Sequence, residues 1–295
     1  YLVDQKNKQK FLILGSASRD LIRQGAETLA GRISFENLSG FSLEEVGFKA
    51  LAKLWVRGGF PLSFLAKSEE ASEAWRESYI ATFLERDIPQ LGIQIPAQTL
   101  RRFWMMISHY HGQVLNLSEL GRSFGVSDMT VRKYLEILQG TFMIRLLQPW
   151  FHNLGKRLVK SPKLYLRDSG LFHTLQSIGS LKQLEAHPKL GASWEGFALE
   201  QAIRMIGVPE EKCFFWATHA GAELDLFWQD RGKNWGLEIK YQDAPTFTKS
   251  MGVALEDLKL KHLWVVYPGK DKYPLHQKAT ALSLEGFSVE VGRKP

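Results

Sequence analysis

Cysteine is almost absent from this sequence, and the absence limits its chemistry. Cys213 is the one thiol, so an internal disulfide and a thiolate metal site are both excluded, and a reducing cytoplasm is the expected compartment. The eight histidines are not spaced as a ligand set. No apolar run approaches the ~20 residues that a membrane-spanning helix needs. The first residues also lack the pattern of a signal peptide, so we expect no membrane partner.

A phosphate-binding loop is also missing. Nowhere does the sequence contain G-x-x-x-x-G-K-[ST], the loop whose backbone amides and lysine bind nucleotide phosphates. We therefore do not expect this chain alone to hydrolyse ATP, and ATP would be a cofactor only if an upstream segment supplied the loop. The chain begins at Tyr1 and not at a methionine, which favours a fragment of a longer polypeptide.

The composition indicates folded domains with a localised positive charge. The chain has 295 residues, of which 44% are hydrophobic, and its net charge is +7. Residues 100–163 contain ten Lys and Arg against three acidic residues, so this segment accounts for the whole net charge. Such a segment is typical of a surface that binds phosphate backbones. A basic surface without a specific partner is the alternative.

Acidic side chains recur in a helix and two strands of the C-terminal region. Residues 192–206 are predicted to be a helix that carries Glu195. Asp225 follows in the strand 223–228, and Glu238 and Lys240 lie in the strand 235–241. Side chains at i and i+2 of a strand point to the same face, so Glu238 and Lys240 project together. If the two strands are neighbours, Asp225 joins them.

Two carboxylates and a lysine on one face are suited to a hard cation. Mg²⁺ binds through one or two carboxylates, waters and substrate phosphate oxygens. Asp225 and Glu238 are the expected metal ligands, and Lys240 would orient a water or stabilise developing negative charge. Glu195 would support the site from the helix, and Glu223 lies on the same face as Asp225. A solvated salt-bridged pair, worth well under about 1 kcal/mol, is the alternative.

Residues 117–135 have the pattern of a helix-turn-helix. Ser118 and Ser127 are predicted to cap the two helices, with a glycine-containing turn between them. Thr130, Arg132 and Lys133 would face outward from the second helix and reach into the DNA major groove. Residues 141–149 and 163–167 are predicted strands, either the wings of a winged helix or a connection to the next domain. Packing or protein contact is the alternative role for this motif.

The remaining segments alternate helices and strands. Ser42 and Glu45 have the spacing of a capping box, and helices are predicted at 48–57 and 69–87. Asp168 is predicted to cap a helix at 169–177. Later segments predict a helix at 251–258, a buried strand at 263–267 and an edge strand at 287–291. The fold class is therefore α/β, or mixed α+β, with a mixed sheet that has helices on its faces.

Two resemblances give this pattern a context. The order of Glu195, Asp225 and Glu238-x-Lys240 resembles that of the PD-(D/E)XK nucleases. The segments FLILGSAS, AGRISFENLSGFSLEEVG, RGGFP and TFLERDIPQLGI resemble the C-terminal half of the nucleotide-binding module in a prokaryotic AAA-type ATPase family. In that family the module is joined to a nuclease-like domain of unknown function. The resemblance covers nearly the whole chain. AAA-type modules commonly form rings, so a homo-oligomer is one expectation, but this chain lacks half of the ring interface.

The second resemblance also implies roles for two N-terminal residues. Ser16 would end the strand that senses the γ-phosphate, and Arg32 would be a charge-stabilising arginine. Because the phosphate-binding loop is missing, a helix cap and a surface base are the favoured roles of these residues in this chain alone. The expected domains are a partial ATPase module at 1–95, a winged helix-turn-helix at 96–160 and a nuclease-like domain at 161–295.

The expected function is that of an ATPase-family protein that interacts with DNA and carries a Mg²⁺-dependent phosphodiesterase site. The alternative is a non-catalytic DNA- or protein-binding regulator that uses the nuclease-like fold as a scaffold. Cleavage that depends on Glu238 would favour the first. Binding that persists in EDTA would favour the second.

Overall fold

Residues 37–151 and 159–292 are described by the computed structural model of this chain. They form a mixed α/β structure that is about half helical and contains a mixed six-stranded sheet. Ser16 and Arg32 lie outside the described residues, so their predicted roles stay predictions. Within the described ranges, no helix is both long and apolar enough to cross a membrane.

The first part is a series of short helices: α1 Leu43–Val46, α2 Leu51–Arg57, α3 Pro61–Phe64, α4 Glu69–Thr82 and α5 Ile88–Gln90. A π-helical turn, Phe83–Asp87, joins α4 to α5. The predicted capping box is confirmed, since Ser42 accepts from the amide of Glu45 and the Glu45 carboxylate accepts from the amide of Ser42. These helices carry Trp55, Phe64 and Ile80 into the core.

The second part combines three helices with a small sheet: α6 Ala97–Ser108, β1 Gln113–Val114, α7 Leu117–Phe124, α8 Asp128–Gly140, β2 Ile144–Leu147 and β3 Lys163–Leu166. The three strands are antiparallel, in the order β1-β3-β2. Residues 163–166 therefore belong to this sheet, beyond the domain boundary expected after residue 160. Gly125 ends α7 in the left-handed conformation, where glycine has no steric penalty.

One of the two predicted caps of the helix-turn-helix is wrong. Ser127 caps α8 by accepting from the amide of Thr130, as predicted. The cap of α7 is Asn116, whose side chain accepts from the amide of Glu119. Ser118 instead donates to the Asp128 carboxylate at 2.7 Å. The helix starts two residues earlier than a cap at Ser118 requires, so Ser118 lies inside its first turn.

The third part holds the large sheet: α9 Ser169–Leu175, α10 Leu181–Glu185, α11 Leu190–Ile206, β4 Cys213–Ala217, β5 Glu223–Asp230, β6 Lys233–Ile239, α12 Lys249–Asp257, β7 His262–Val266, β8 Tyr273–His276, β9 Ala279–Leu282 and α13 Leu284–Gly292. The strand order is β4-β5-β6-β7-β9-β8. The pairs β6–β7 and β7–β9 are parallel, and the other pairs are antiparallel.

The predicted edge strand at 287–291 is wrong, because these residues belong to helix α13. The alternation of Phe287, Val289 and Val291 suggested a strand. In the structure, Leu284, Phe287 and Val291 contact the core at helical spacing, whereas Val289 is 47% exposed. The Ser283 hydroxyl accepts from the amide of Gly286 and starts the helix.

Helices cover both faces of the large sheet. One face packs against α11 and α13 through residues such as Phe197, Leu237 and Trp264. The other packs against α12 through residues such as Leu224, Met251 and Val265. A separate core joins the small sheet to α4–α9. Both faces are therefore dry, and polar groups along these strands need partners.

Two glycines of α11 provide a matched test of its packing. A Cβ at Gly196 would lie 2.0 Å from His111 Nε2, whereas a Cβ at Gly191 would meet nothing within 4 Å. His111 stacks on Phe172 and accepts from the amide of Leu166, so its ring has little room to move. We expect Gly196→Ala to lower the free energy of unfolding by about 1–3 kcal/mol. Gly191→Ala should raise it by up to about 1 kcal/mol through helix propensity. Urea unfolding of both variants measures this, and equal effects would contradict the packing described.

Candidate functional site

The acidic residues meet where the pairing of β5 with β6 ends. The last pair of that ladder joins Leu226 to Leu237, so Asp225 and Glu238 lie just beyond it. The Asp225 carboxylate accepts from the amide of Ile239 at 2.8 Å. The Asp225 side chain thus supplies the acceptor that a backbone carbonyl would supply if the ladder continued. Leu224 and Leu226, two residues apart, contact different core clusters, so β5 departs from regular alternation at Asp225.

Glu238 and Lys240 project together, as the strand spacing predicts. The Lys240 ammonium lies 2.6 Å from one carboxylate oxygen of Glu238. The lysine side chain is 33% exposed, whereas that of Glu238 is 7% exposed. The second oxygen, Oε2, is buried and has no hydrogen-bond partner among the described residues. An unpartnered carboxylate oxygen in the interior is costly, so it points to a ligand group or a proton at this position.

Glu195 joins the group from α11. Its carboxylate accepts a 2.6 Å hydrogen bond from the Tyr165 hydroxyl. It also lies 3.3 Å from the ammonium of Lys163. That ammonium contacts Glu223 and lies 3.4 Å from the Asp225 carboxylate. One lysine therefore joins the helix acid to the two acids of β5.

Lys163 and Tyr165 are the site residues that sequence reasoning missed. Both lie on β3, two residues apart, and both are almost completely buried. A lysine flanked by apolar residues in a predicted strand is a signal for a charge partner in the interior. The partners lie in other elements, however, and only the packing of β3 against α11 and β5 identifies them.

Burial and mutual repulsion raise the pKa values of two carboxyls. Burial and the nearby Asp225 carboxylate raise the pKa of Glu238 to about 8. The same two causes raise the pKa of Glu195 to about 7. Burial lowers the pKa of Lys163, but the anionic groups around it raise that pKa well above its usual range. The group therefore contains two ammonium ions and carries an excess of carboxylate charge in mildly alkaline solution.

The metal prediction is not tested by this geometry. Among the described residues, no three His, Cys, Asp or Glu side chains are arranged as a ready metal-binding group. The donor set itself consists of carboxylate oxygens, which hard divalent cations prefer. Glu238 Oε2 offers an unpartnered donor. The positive charge that these carboxylates surround is the ammonium of Lys163.

The predicted DNA-contacting residues lie on one side of α8. Arg132 and Lys133 are exposed, and Thr130 is half-buried, with its hydroxyl 3.0 Å from that of Ser127. Val131, Leu135 and Leu138 face the core on the opposite side. The outward orientation of the two basic residues agrees with the prediction. Strand β3 connects the two regions, because it shares a core with α8 and carries Lys163. We call Glu195, Glu223, Asp225 and Glu238 together the carboxylate group.

A buried ion-pair network links the small sheet to α11. Arg145 of β2 donates two hydrogen bonds to Glu200 of α11. It also donates to Glu210 at 2.9 Å, and Arg167 donates to Glu210 at 2.7 Å. Burial raises the pKa of Glu200, but Arg145 and Arg167 outweigh it and lower that pKa to about 2. This network lies on the same two elements, α11 and the small sheet, that supply Glu195 and Lys163.

Comparisons with known proteins identify domains but no activity. Residues 48–182 match the model of a domain of unknown function (DUF8612), and residues 190–287 match that of another domain of unknown function (DUF4143). An uncharacterized protein of Mycobacterium tuberculosis is 49% identical over 273 residues, which are 92% of this chain and 62% of that protein. An uncharacterized protein of Mycobacterium bovis has the same identity and coverage. No solved structure matches the chain.

The chain thus spans less than two thirds of the length of the relatives described. The boundary between the two matched domains falls at residues 183–189, just before α11. Glu195, Glu223, Asp225, Glu238 and Lys240 all lie in the second match. Lys163 and Tyr165 lie in the first. The carboxylate group is therefore completed by residues of both.

Proposed function

We propose that this chain is part of an ATPase-family protein that interacts with DNA and cleaves phosphodiester bonds with Mg²⁺ at the carboxylate group of its C-terminal region. The observation that carries the proposal is the convergence of Asp225, Glu238 and Lys240 where β5 and β6 part, with Glu195 beside them. Four polar groups gathered at a break in the ladder of an otherwise dry sheet suit a functional site better than a purely structural one.

The element order supports the same proposal. A helix, α11, carries one acid, and three antiparallel strands follow it. A crossover helix, α12, then leads to the parallel strand β7. In the PD-(D/E)XK resemblance, the acid and the Glu-x-Lys pair belong to neighbouring central strands. Asp225 on β5, with Glu238 on β6 and Lys240 just past its end, supports this correspondence.

The donor set fits a hard cation. Asp225 and Glu238 would hold it, and Glu238 Oε2 is the donor that lacks a partner. When bound, Mg²⁺ would polarise a phosphoryl oxygen and lower the pKa of a bound water. Lys240, which is partly exposed, would orient that water or stabilise the charge that develops on the phosphate. Glu195 would add a third carboxylate beside the cation.

The helix-turn-helix gives the proposal its DNA component. The order α6-β1-α7-α8-β2-β3, with the sheet order β1-β3-β2, supports the predicted winged helix. Arg132 and Lys133 are exposed on α8, the helix that such a motif places in the major groove. Phosphate contacts by these side chains would make binding steeply dependent on salt.

A cleavage assay tests the enzymatic part. The full chain is incubated with single-stranded, duplex and branched DNA in Mn²⁺ or Mg²⁺, and then in EDTA. We expect cleavage with the metal and none in EDTA. Glu238→Ala should reduce the rate by at least about a hundredfold. Glu256→Ala, an exposed position on α12, is the matched control and should keep the wild-type rate. Metal-independent cleavage, or full activity of Glu238→Ala, would contradict the proposal.

One observation favours a second candidate, a non-catalytic DNA- or protein-binding regulator. The ammonium of Lys163 already pairs with three of the carboxylates. Such an internal ion-pair cluster is typical of a structural role. A regulator should bind DNA equally well in EDTA and in Glu238→Ala, without cleavage, and should lose affinity in the double variant Arg132→Ala/Lys133→Ala. Fluorescence anisotropy with labelled duplex DNA measures that affinity.

A further inference from the structure

Lys163 reaches the carboxylate group from a different sheet. It is the first residue of β3, where it pairs with Leu147 of β2 and Val114 of β1. Its side chain is 4% exposed, and its ammonium lies 5.8 Å from the centroid of the Phe215 ring. The ammonium extends to Glu195 on α11 and to Glu223 and Asp225 on β5. It is therefore surrounded by carboxylates that belong to the proposed metal site.

The strand that carries Lys163 is held firmly. Tyr165, two residues on, is completely buried and donates to the same Glu195 carboxylate. Leu166 donates its amide to His111, and β3 pairs with strands on both sides. The lysine is thus presented by a rigid element. Its four-carbon side chain is the flexible part.

The ammonium of Lys163 and a divalent cation compete for the Asp225 carboxylate. Two positive charges within about 4 Å of one another repel strongly inside a protein, where the effective dielectric constant is far below that of water. Lys163 lies 3.4 Å from the Asp225 oxygen Oδ1, and the other oxygen is taken by the amide of Ile239. A cation bound by Asp225 would need the oxygen that Lys163 now faces.

We propose that Lys163 is a built-in counter-cation that holds the carboxylate group closed and must withdraw before a divalent cation binds. The proposal rests on the proposed function, since it assumes that this group accepts a cation. It adds a control element that the sequence pattern of Asp225 and Glu238-x-Lys240 does not contain.

The strand that carries Lys163 connects the carboxylate group to the helix-turn-helix. Strand β3 is the central strand of the sheet that packs beneath α8, the helix with exposed Arg132 and Lys133. A ligand that shifts this sheet would move Lys163 relative to Asp225 and so change the affinity of the site for a cation. By linkage, a bound cation would change the affinity for that ligand by the same factor.

Calorimetric titration of Mn²⁺ into the full chain tests the proposal. Lys163→Gln keeps a polar side chain, shorter by one atom, but removes its charge. We expect it to bind Mn²⁺ at least tenfold more tightly than wild type at the same pH. Lys160→Gln, an exposed lysine just before β3, is the matched control and should bind like wild type. Unchanged or weaker binding by Lys163→Gln, with binding by wild type intact, would overturn this proposal and leave the proposed function standing.

Thermal unfolding provides a second readout, which also shows whether the variant folds. Without Lys163 the carboxylates repel, so the Tm of Lys163→Gln should be lower than that of wild type in EDTA. Mn²⁺ should raise that Tm by more than it raises the wild-type Tm, because a ligand stabilises the state that it binds. An equal or smaller rise would contradict the proposal. Absence of Mn²⁺ binding in wild type, Lys163→Gln and Lys160→Gln alike would contradict the proposed metal site itself.

Discussion

The Glu238→Gln variant is expected to be more stable than the wild-type chain in metal-free buffer, by an amount that grows with pH. The difference in the free energy of unfolding should be under about 1 kcal/mol near pH 5 and about 4 kcal/mol near pH 8. Burial and the Asp225 carboxylate raise the pKa of Glu238 from 4.5 to about 8. A carboxyl with a raised pKa stabilises the fold fully below its unfolded pKa, and this stability is lost as the pH rises through the folded pKa.

Glutamine removes this loss because it stays neutral at every pH while it can still accept from the Lys240 ammonium. Urea unfolding in EDTA near pH 5, 6.5 and 8 measures the difference. Glu256→Gln on the exposed side of α12 is the control and should stay within about 0.5 kcal/mol of wild type. A Glu238→Gln variant that is less stable than wild type, or a difference that does not change with pH, would contradict the burial of an ionisable carboxyl whose pKa is raised. A gain in stability on removal of a proposed functional group is typical of sites where function opposes stability.

The Glu200→Ala variant should have the largest loss of stability of the variants considered. Its free energy of unfolding is expected to fall by about 3–5 kcal/mol, because removal of one partner of a buried pair leaves the other charge uncompensated. Arg145 is 7% exposed and donates two hydrogen bonds to Glu200. In the variant, Arg145 would keep only Glu210, which lies in a partly exposed turn.

Urea unfolding near pH 7 measures this loss, and Glu211→Ala is its control. Glu211 lies in the same short 3-10 turn as Glu210 and is exposed, so its removal should cost less than about 0.5 kcal/mol. Since the network joins β2 to α11, the variant is also expected to unfold less cooperatively, with a smaller dependence on urea. A loss below about 1 kcal/mol would show that Arg145 finds water or another partner.

The sequence predicts the strand part of the site because the geometry there is local. Glu238 and Lys240 are two residues apart in one strand, so the period of the strand places them together wherever β6 lies in the sheet. Asp225 joins them because consecutive antiparallel strands are neighbours more often than not. The caps at Ser42, Ser127 and Asp168 are predicted for the same reason, since each depends on a contact three residues away.

What the sequence does not predict depends on distant contacts. Lys163 is separated by 32 positions from Glu195 and by 62 from Asp225, and it arrives from another sheet. Arg145 and Glu200 are 55 positions apart. No local period relates such residues. The helix α13 was missed for a different reason. Its short segment satisfies both a strand alternation and a helical spacing, and the contact of Phe287 with the core decides between them.

The central claim is that Asp225 and Glu238 form a cation site where β5 and β6 part, and a calorimetric titration with Mg²⁺ and Mn²⁺ tests it most directly. The wild-type chain and the double variant Asp225→Ala/Glu238→Ala would be titrated side by side, with folding of both checked by circular dichroism. We predict saturable binding of one cation by the wild-type chain and none by the double variant. Equal binding by both, or none by the folded wild-type chain, would contradict the claim.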